Sequence, residues 1–341
     1  MFRIKKDSLP MLYAAIAAES DLFLPVKSAG KTNYALWTAT CEPDLATLKT
    51  VKSPKDVFFP QSENLYRCES DDGKLSVTPE KHRETPFVVF GMKACDVRAV
   101  AVLDKVFLSE PVDTFYAARR EKGTIVSLAC GKPESSCFCG SFRIDCAAPE
   151  GDVATWLTEE HLYWLPQSAK GKALTAQLAA LLEECGEEAV SVEKEKIRTI
   201  CSRLPLKDLS LANWGAAAAQ KNFDSPLWEA LYKPCLACGT CTFVCPTCQC
   251  YDIKDFDTGS GVQRYRCWDS CMYSDFTMMA HGNNRTSQMQ RFRQRFMHKL
   301  AYFPANNDGM FSCVGCGRCV DKCPSCLNIV KVIKAFGKEG M

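Results

Sequence analysis

The stretch "CLACGTCTFVCPTCQC", residues 235–250, sets six cysteines in sixteen residues, and "CVGCGRCVDKCP", residues 313–324, repeats its opening pattern. Both runs follow Cys-x2-Cys-x2-Cys-x3-Cys-Pro: Cys235, Cys238, Cys241, Cys245 and Pro246, then Cys313, Cys316, Cys319, Cys323 and Pro324. A zinc ribbon, the non-redox alternative for such thiols, closes one tetrahedron with two CxxC pairs. It has no use for a third thiol two residues on or for the trailing proline. A 4Fe-4S cluster has a use for both: three cysteines on a tight loop reach three irons, and the fourth points toward a neighbouring cluster. Crossed ligation is therefore expected. Cys235, Cys238, Cys241 and Cys323 would hold one cluster, and Cys313, Cys316, Cys319 and Cys245 the other. Gly239, Gly315 and Gly317 suit loops whose backbone must come close to such a group.

A third set is suggested upstream. "PFVVFG", residues 86–91, reads as a buried strand, "DVRAVAVLDKVF" as a helix with Asp96 as its N-cap, and "TIVSLA", residues 124–129, as a second strand. Strand, helix, strand implies a right-handed crossover and a parallel pair, with both C-terminal strand ends at one sheet edge, where ligands gather. Cys95 and Cys130 follow those strands, and Cys137 and Cys139 come next in "SSCFCG". These four are expected to hold a third 4Fe-4S cluster, with Cys146 or Asp96 as possible replacements for one ligand. Cys41, Cys68, Cys185 and Cys201 look scattered and structural, and Cys248, Cys250 and Cys326 read as small buried hydrophobes. Cys267 and Cys271, one helical turn apart in "RCWDSC", are expected to pack beside a cluster, since eight ligands are already supplied.

The elements that must position these thiols follow from length and composition. With 341 residues, 47% of them hydrophobic, the chain can bury cores for about two domains and needs no disulfide staples. Residues 1–224 are expected to form an α/β domain with a parallel sheet, and residues 225–341 an alpha-helical ferredoxin domain. The 67 residues between Cys245 and Cys313 contain "SCMYSDFTMMAHG" and "SQMQRFRQRFMHKL", both of helix-favouring composition. "KALTAQLAALLEECG" also reads as a helix, stopped by Gly186.

The N-terminal "MFRIKKDSLPMLYAAIAAES" is too interrupted by Asp7, Ser8 and Pro10 for a secretory signal and reads as an amphipathic helix. No run approaches the ~18 apolar residues of a membrane span, so the expectation is a cytoplasmic protein whose 22 cysteines are metal ligands and buried thiols. A net charge of +2 offers no footprint for nucleic acid. In "RFRQRFMHKL", Arg291, Arg293, Arg295 and Lys299 read equally as a solvated helix face or as a docking face. No G-x-G-x-x-G follows a strand, and His82, His161, His281 and His298 are dispersed, so no catalytic residue is assigned. The chain reads as a carrier of electrons.

Seven motifs in this order, "GMKACDVRAVAVLD", "DTFYAARR", "SSCFCGS", "CLACGTCTFVCPTCQCYDI", "YRCWDSC", "FRQRFMHKL" and "CVGCGRCVDKCP", resemble the iron-sulfur electron-transfer subunit of anaerobic sulfite reductase and the beta subunit of cytoplasmic sulfhydrogenases. The resemblance runs from about residue 86 to residue 330. It implies a subunit that relays electrons through several 4Fe-4S clusters between an NAD(P)H-oxidising flavoprotein and a catalytic subunit, with Cys95, Cys130, Cys137 and Cys139 among the ligands. Similar subunits serve heterodisulfide reductase-linked flavin oxidoreductases. Cys326 in "CPSCLNI" departs from the pattern.

Overall fold

The strand Phe87–Met92 is buried at every position, as expected at the centre of a sheet covered on both faces. Its alternation divides two cores. Val88 and Phe90 join Leu12, Ile16, Leu24 and Trp164 on one face; Phe87 and Val89 join Phe58, Val100, Leu103 and Trp268 on the other. The computed structural model describes residues 1–71 and 74–338. In it the strand lies within a nine-stranded sheet, in the order Glu183–Glu184, Phe2–Lys5, His161–Pro166, Val153–Leu157, Gly123–Leu128, Phe87–Met92, Asp21–Ser28 and Lys31–Leu36, with Glu42–Pro43 also on Asp21–Ser28.

The four strands from Asp21–Ser28 to Val153–Leu157 are mutually parallel. The flanking pairings are antiparallel, because Asp21–Ser28 and Lys31–Leu36 turn back as a hairpin and His161–Pro166 returns on Val153–Leu157. The sheet is therefore mixed, and only its centre is the parallel sheet expected from the sequence.

Helix Ala94–Phe107 follows the central strand directly. Its N-cap is Lys93, with no side-chain cap, and Asp96 sits inside the first turn. The N-cap expected at Asp96 is thus displaced, and the carboxylate is turned to another use: it accepts from Arg318 Nη1 at 2.6 Å and Nη2 at 2.8 Å. Both side chains are almost fully buried, so this pair ties the crossover helix to the C-terminal cysteine run.

The insert between the cysteine runs is not all helix. Tyr251–Asp257 and Gly261–Trp268 form an antiparallel hairpin, and the second strand pairs with Ser62–Asp71, itself paired with Lys74–Pro79. "YDIKDFDTGSGVQRYRCW" carries the signal, a Gly-containing turn between β-rich arms. Cys267 consequently lies on a strand opposite Asp252 and Ser62, away from the helical register expected for it with Cys271. "SCMYSDFTMMAHG" forms a short 3-10 turn and a two-residue hairpin, Met278–Met279 with Gly282–Asn283. "KALTAQLAALLEECG" keeps its helix only over Ala169–Gln177.

Buried Arg266 donates to Glu63 at 2.8 Å and also pairs with Asp113, fastening the hairpin to the α/β part. Helix Gln288–Met297 begins at a capping box made by Ser287 and Gln290. Its Phe292 and Phe296, at i, i+4, pack with Trp228, Ile333 and Phe336 in a separate core. Among the described residues no helix is long and apolar enough to cross a membrane.

Candidate functional site

Three cavities gather the expected thiols. Cys235, Cys238, Cys241 and Cys323 line one. Cys245, Cys313, Cys316 and Cys319 line the second. Cys95, Cys130, Cys137 and Cys139 line the third, together with Cys146 and Cys201. Cys323 thus stands with the first run and Cys245 with the second, as crossing requires.

Local backbone explains the matching shapes of the two runs. Ala237 (φ 52°) and Gly239 (φ 71°) repeat as Gly315 (φ 61°) and Gly317 (φ 79°), and each run then enters one short helix, Thr240–Phe243 or Arg318–Asp321. These left-handed positions wrap the loop about its cavity. At Gly315 there is a second constraint: a Cβ would lie 2.5 Å from the Phe138 carbonyl carbon, so a side chain there would drive the two loops apart.

The cavities share walls. Phe138 donates its backbone N–H to Gly315 O at 2.9 Å, joining "SSCFCG" to "CVGCGRC". Lys49 clasps the same junction, with Asp321 at 2.7 Å and Glu134 at 3.0 Å. Cys316 lines both the second and the third cavity, and Arg295 both the first and the second. The sets therefore stand in the order third, second, first, with the exposed Cys238 at the far end.

Buried cations face the thiols. Arg295 and Lys299 are each 3% exposed. Arg295 Nη2 reaches Cys241 O at 3.4 Å, and its buried Nε has no hydrogen-bond partner among the described residues. Lys299 Nζ donates to Thr247 Oγ1 at 2.8 Å and Ser312 O at 3.0 Å. Burial opposes both charges, but Cys241 and Cys319 beside Arg295, and Cys245, Cys248 and Cys313 beside Lys299, outweigh it and hold both pKa values high.

The docking face considered for "RFRQRFMHKL" is thereby corrected. Arg295 and Lys299 share the inward side with Phe292 and Phe296. Arg291 donates to Met272 O and Arg285 O, and Arg293 to Phe223 O. Among the thiols, burial pushes Cys241 up to about 11 and Cys130 and Cys316 up to about 12.

The donor set fits an iron-sulfur cluster. Such a group carries net negative charge with its thiolates, which buried Arg295, Lys299 and Lys93 would balance, and the orphaned Arg295 Nε is a donor without an acceptor. Among the described residues no three His, Cys, Asp or Glu side chains group about a single metal ion; the thiols face one another across cavities.

Residues 234–327 match the family model of the 4Fe-4S dicluster domain. The whole chain is similar to Sulfhydrogenase 2 subunit beta of Pyrococcus furiosus, 29% identical over 345 residues, covering 99% of this chain and 98% of that one. The chain thus carries a 4Fe-4S dicluster domain and is similar over its whole length to a sulfhydrogenase beta subunit. It is an iron-sulfur electron-transfer subunit. No solved structure matches it.

Sequence reasoning misses the companions of these thiols. Cys146 and Cys201, one expected only as a substitute and the other as a scattered thiol, both enter the third cavity. Cys201 arrives at the end of helix Glu188–Cys201, a placement no local spacing encodes. The cations Arg295 and Lys299 do carry a signal: an i, i+4 pair beside Phe292 and Phe296 shares the apolar face. Cys248 and Cys326 hold equivalent places in "CPTC" and "CPSC", which lengthens the internal repeat.

Proposed function

We propose that the chain relays single electrons through three 4Fe-4S clusters, held by Cys95, Cys130, Cys137 and Cys139; by Cys313, Cys316, Cys319 and Cys245; and by Cys235, Cys238, Cys241 and Cys323. The observation that carries this reading is the row of cavities with shared walls, Cys316 at one junction and Arg295 at the other. When bound, each cluster supplies reversible one-electron acceptance. The chain's own residues ligate it, keep water away and offset its charge: Lys93 beside the third set, Lys299 beside the second and Arg295 between the second and the first. Asp96 is engaged by Arg318 and is not assigned as a ligand.

In this reading the partners are an NAD(P)H-oxidising flavoprotein and the catalytic subunit of an anaerobic cytoplasmic reductase, with sulfite reductase taken from the motif resemblance. Full-length similarity to a sulfhydrogenase beta subunit favours a second assignment, the same relay in a NiFe sulfhydrogenase. A heterodisulfide reductase-linked flavin oxidoreductase would use the chain in the same way.

Anaerobic affinity purification from the native cell, with mass spectrometry of co-eluting subunits, decides between them. Recovery of a sulfite reductase catalytic subunit supports the first assignment, and a NiFe subunit the second. The isolated chain should be brown, bleach with dithionite and pass electrons to a dye, yet neither oxidise NAD(P)H nor reduce sulfite. A colourless zinc protein, or turnover of NAD(P)H by the flavin-free chain, contradicts the relay.

A further inference from the structure

Three thiols outside the assigned ligand sets, Cys248, Cys250 and Cys271, remain close to them, and two of these line a surface pocket. Cys248 stands close enough to Cys245 for each thiol to shift the other's acidity. The Cys250 and Cys271 thiols meet closely enough for each to shift the other's acidity, Cys250 downward and Cys271 upward. The contact is made by the base of the hairpin, where Asp269 N–H donates to Cys250 O at 3.0 Å and Tyr251 pairs with Trp268. Both Cys250 and Cys271 line an open surface pocket of about 560 Å³.

That pocket has apolar walls, Phe107 and Pro111 among them, and two basic side chains, Arg285 and His298. Burial, with Lys299 and Arg285 nearby, pulls His298 down to about 4, so its ring is neutral at physiological pH. The Arg285 guanidinium has no ion-pair partner among the described residues. Asp113, also at the wall, is already paired with Arg266. The free charge of the pocket is positive.

We propose that Cys250 and Cys271 form a redox-active dithiol that reduces small organic disulfides carrying a negative group, bound in this pocket. Three features support it: adjacent thiols, access from solvent, and a cation to orient an anionic ligand. The roles of the two sulfurs differ. The hydrogen bond from Cys271, aided by Lys299 and Lys55, brings Cys250 down to about 7, which makes it the nucleophile. Its interaction with Cys250, reinforced by burial, holds Cys271 protonated until it acts.

The steps balance. Cys250 thiolate attacks one sulfur of R–S–S–R′, forming Cys250–S–S–R and releasing R′S⁻, which takes the Cys271 proton. Cys271 thiolate then attacks Cys250 Sγ, forming the Cys250–Cys271 disulfide and releasing RS⁻. Returning the pair to two thiols consumes two electrons and two protons. The dithiol rests on the proposed relay here, since the electrons are those that the cluster assigned to Cys245 and its three partners would supply. Overall, R–S–S–R′ with two electrons and two protons gives RSH and R′SH.

The test uses the anaerobically isolated full chain, with iron content measured on the same sample, and dithiobis-nitrobenzoate as the small anionic disulfide. Peptide mapping should find Cys250 modified about fivefold faster than Cys41 or Cys68 near pH 7, ending in a Cys250–Cys271 disulfide. Cys271→Ser should stop at a mixed disulfide on Cys250. Arg285→Leu should slow the reaction with the anionic probe but not with a neutral disulfide of similar size.

Dithionite, without added thiol, should reopen the disulfide in the iron-loaded chain faster than in the iron-free chain. Cys250 and Cys271 modified separately without ever pairing, or Cys250 no faster than Cys41, overturns the site. A disulfide that persists in an iron-replete sample whose clusters reduce normally overturns its link to the relay. A sample that takes up no iron counts instead against the clusters themselves.

Discussion

The two C-terminal cavities and the N-terminal one solve the same problem by different means. In the C-terminal pair, six of the eight thiols lie on two loops of identical spacing, and left-handed residues at matching positions wrap each loop. The N-terminal set is assembled by topology: Cys95 lies in the first turn of a crossover helix, Cys130 follows a parallel strand, Cys137 and Cys139 lie in a loop and the 3-10 turn that it enters, and Cys146 and Cys201 come from further along. The first arrangement is written in local spacing, and the second exists only once the sheet has formed. The difference teaches where each should fail, through its ligands in one case and through its scaffold in the other.

The largest expected effect tests the crossed wiring of the repeat-built pair. Cys323→Ser should remove or alter the paramagnetic signal that Cys235→Ser also alters, and leave the one lost in Cys313→Ser. A match to Cys313→Ser would mean that each run holds its own cluster.

Next comes the scaffold. Arg318→Met strands the buried Asp96 carboxylate without its partner and should lower unfolding stability by about 3–5 kcal/mol, measured by denaturant titration. Because this pair anchors the helix that carries Cys95, iron should be lost from the N-terminal set before the other two. Equal loss from all three would erase the distinction between scaffold-built and spacing-built sites.

A smaller effect concerns the junction. Arg295→Gln removes a buried positive charge that faces two cavities, so both C-terminal potentials should fall, on the order of 50–100 mV each. Lys299→Met, beside Cys245 and Cys313, should lower only the second. Redox titration followed by paramagnetic resonance separates the two patterns. The smallest effect is expected at Cys326, exposed and outside the first cavity's wall: Cys326→Ser should leave the iron count and all signals unchanged.

How far the sequence discloses this molecule follows the same division. Cys-x2-Cys-x2-Cys-x3-Cys-Pro picks out the thiols that gather at the two cavities, Cys323 with the first run and Cys245 with the second, because a loop of that length has few ways to fold around one centre. "PFVVFG" and "TIVSLA" announce parallel central strands, since runs buried on both faces cannot alternate with polar residues. The antiparallel flanks of the sheet are not announced, because they depend on how hairpins return. The hairpin Tyr251–Trp268 is legible in its turn and β-rich arms, yet its pairing with Ser62–Asp71, nearly two hundred residues earlier, is not. Asp96 shows the limit: its place before a helix suggests a cap, while its partner Arg318 is distant in sequence and visible only in the fold. Arg295 reads as surface charge when side-chain type outweighs periodicity; its i+3 relation to Phe292 argues for the inward face.

The central claim is that the chain carries three clusters in a row, not two. Iron and acid-labile sulfide should therefore be counted per chain in the anaerobically reconstituted full-length protein and in a Cys130→Ser, Cys137→Ser, Cys139→Ser variant of it. The account predicts about twelve irons in the first and about eight in the second, with both C-terminal signals retained; about eight in both would contradict it.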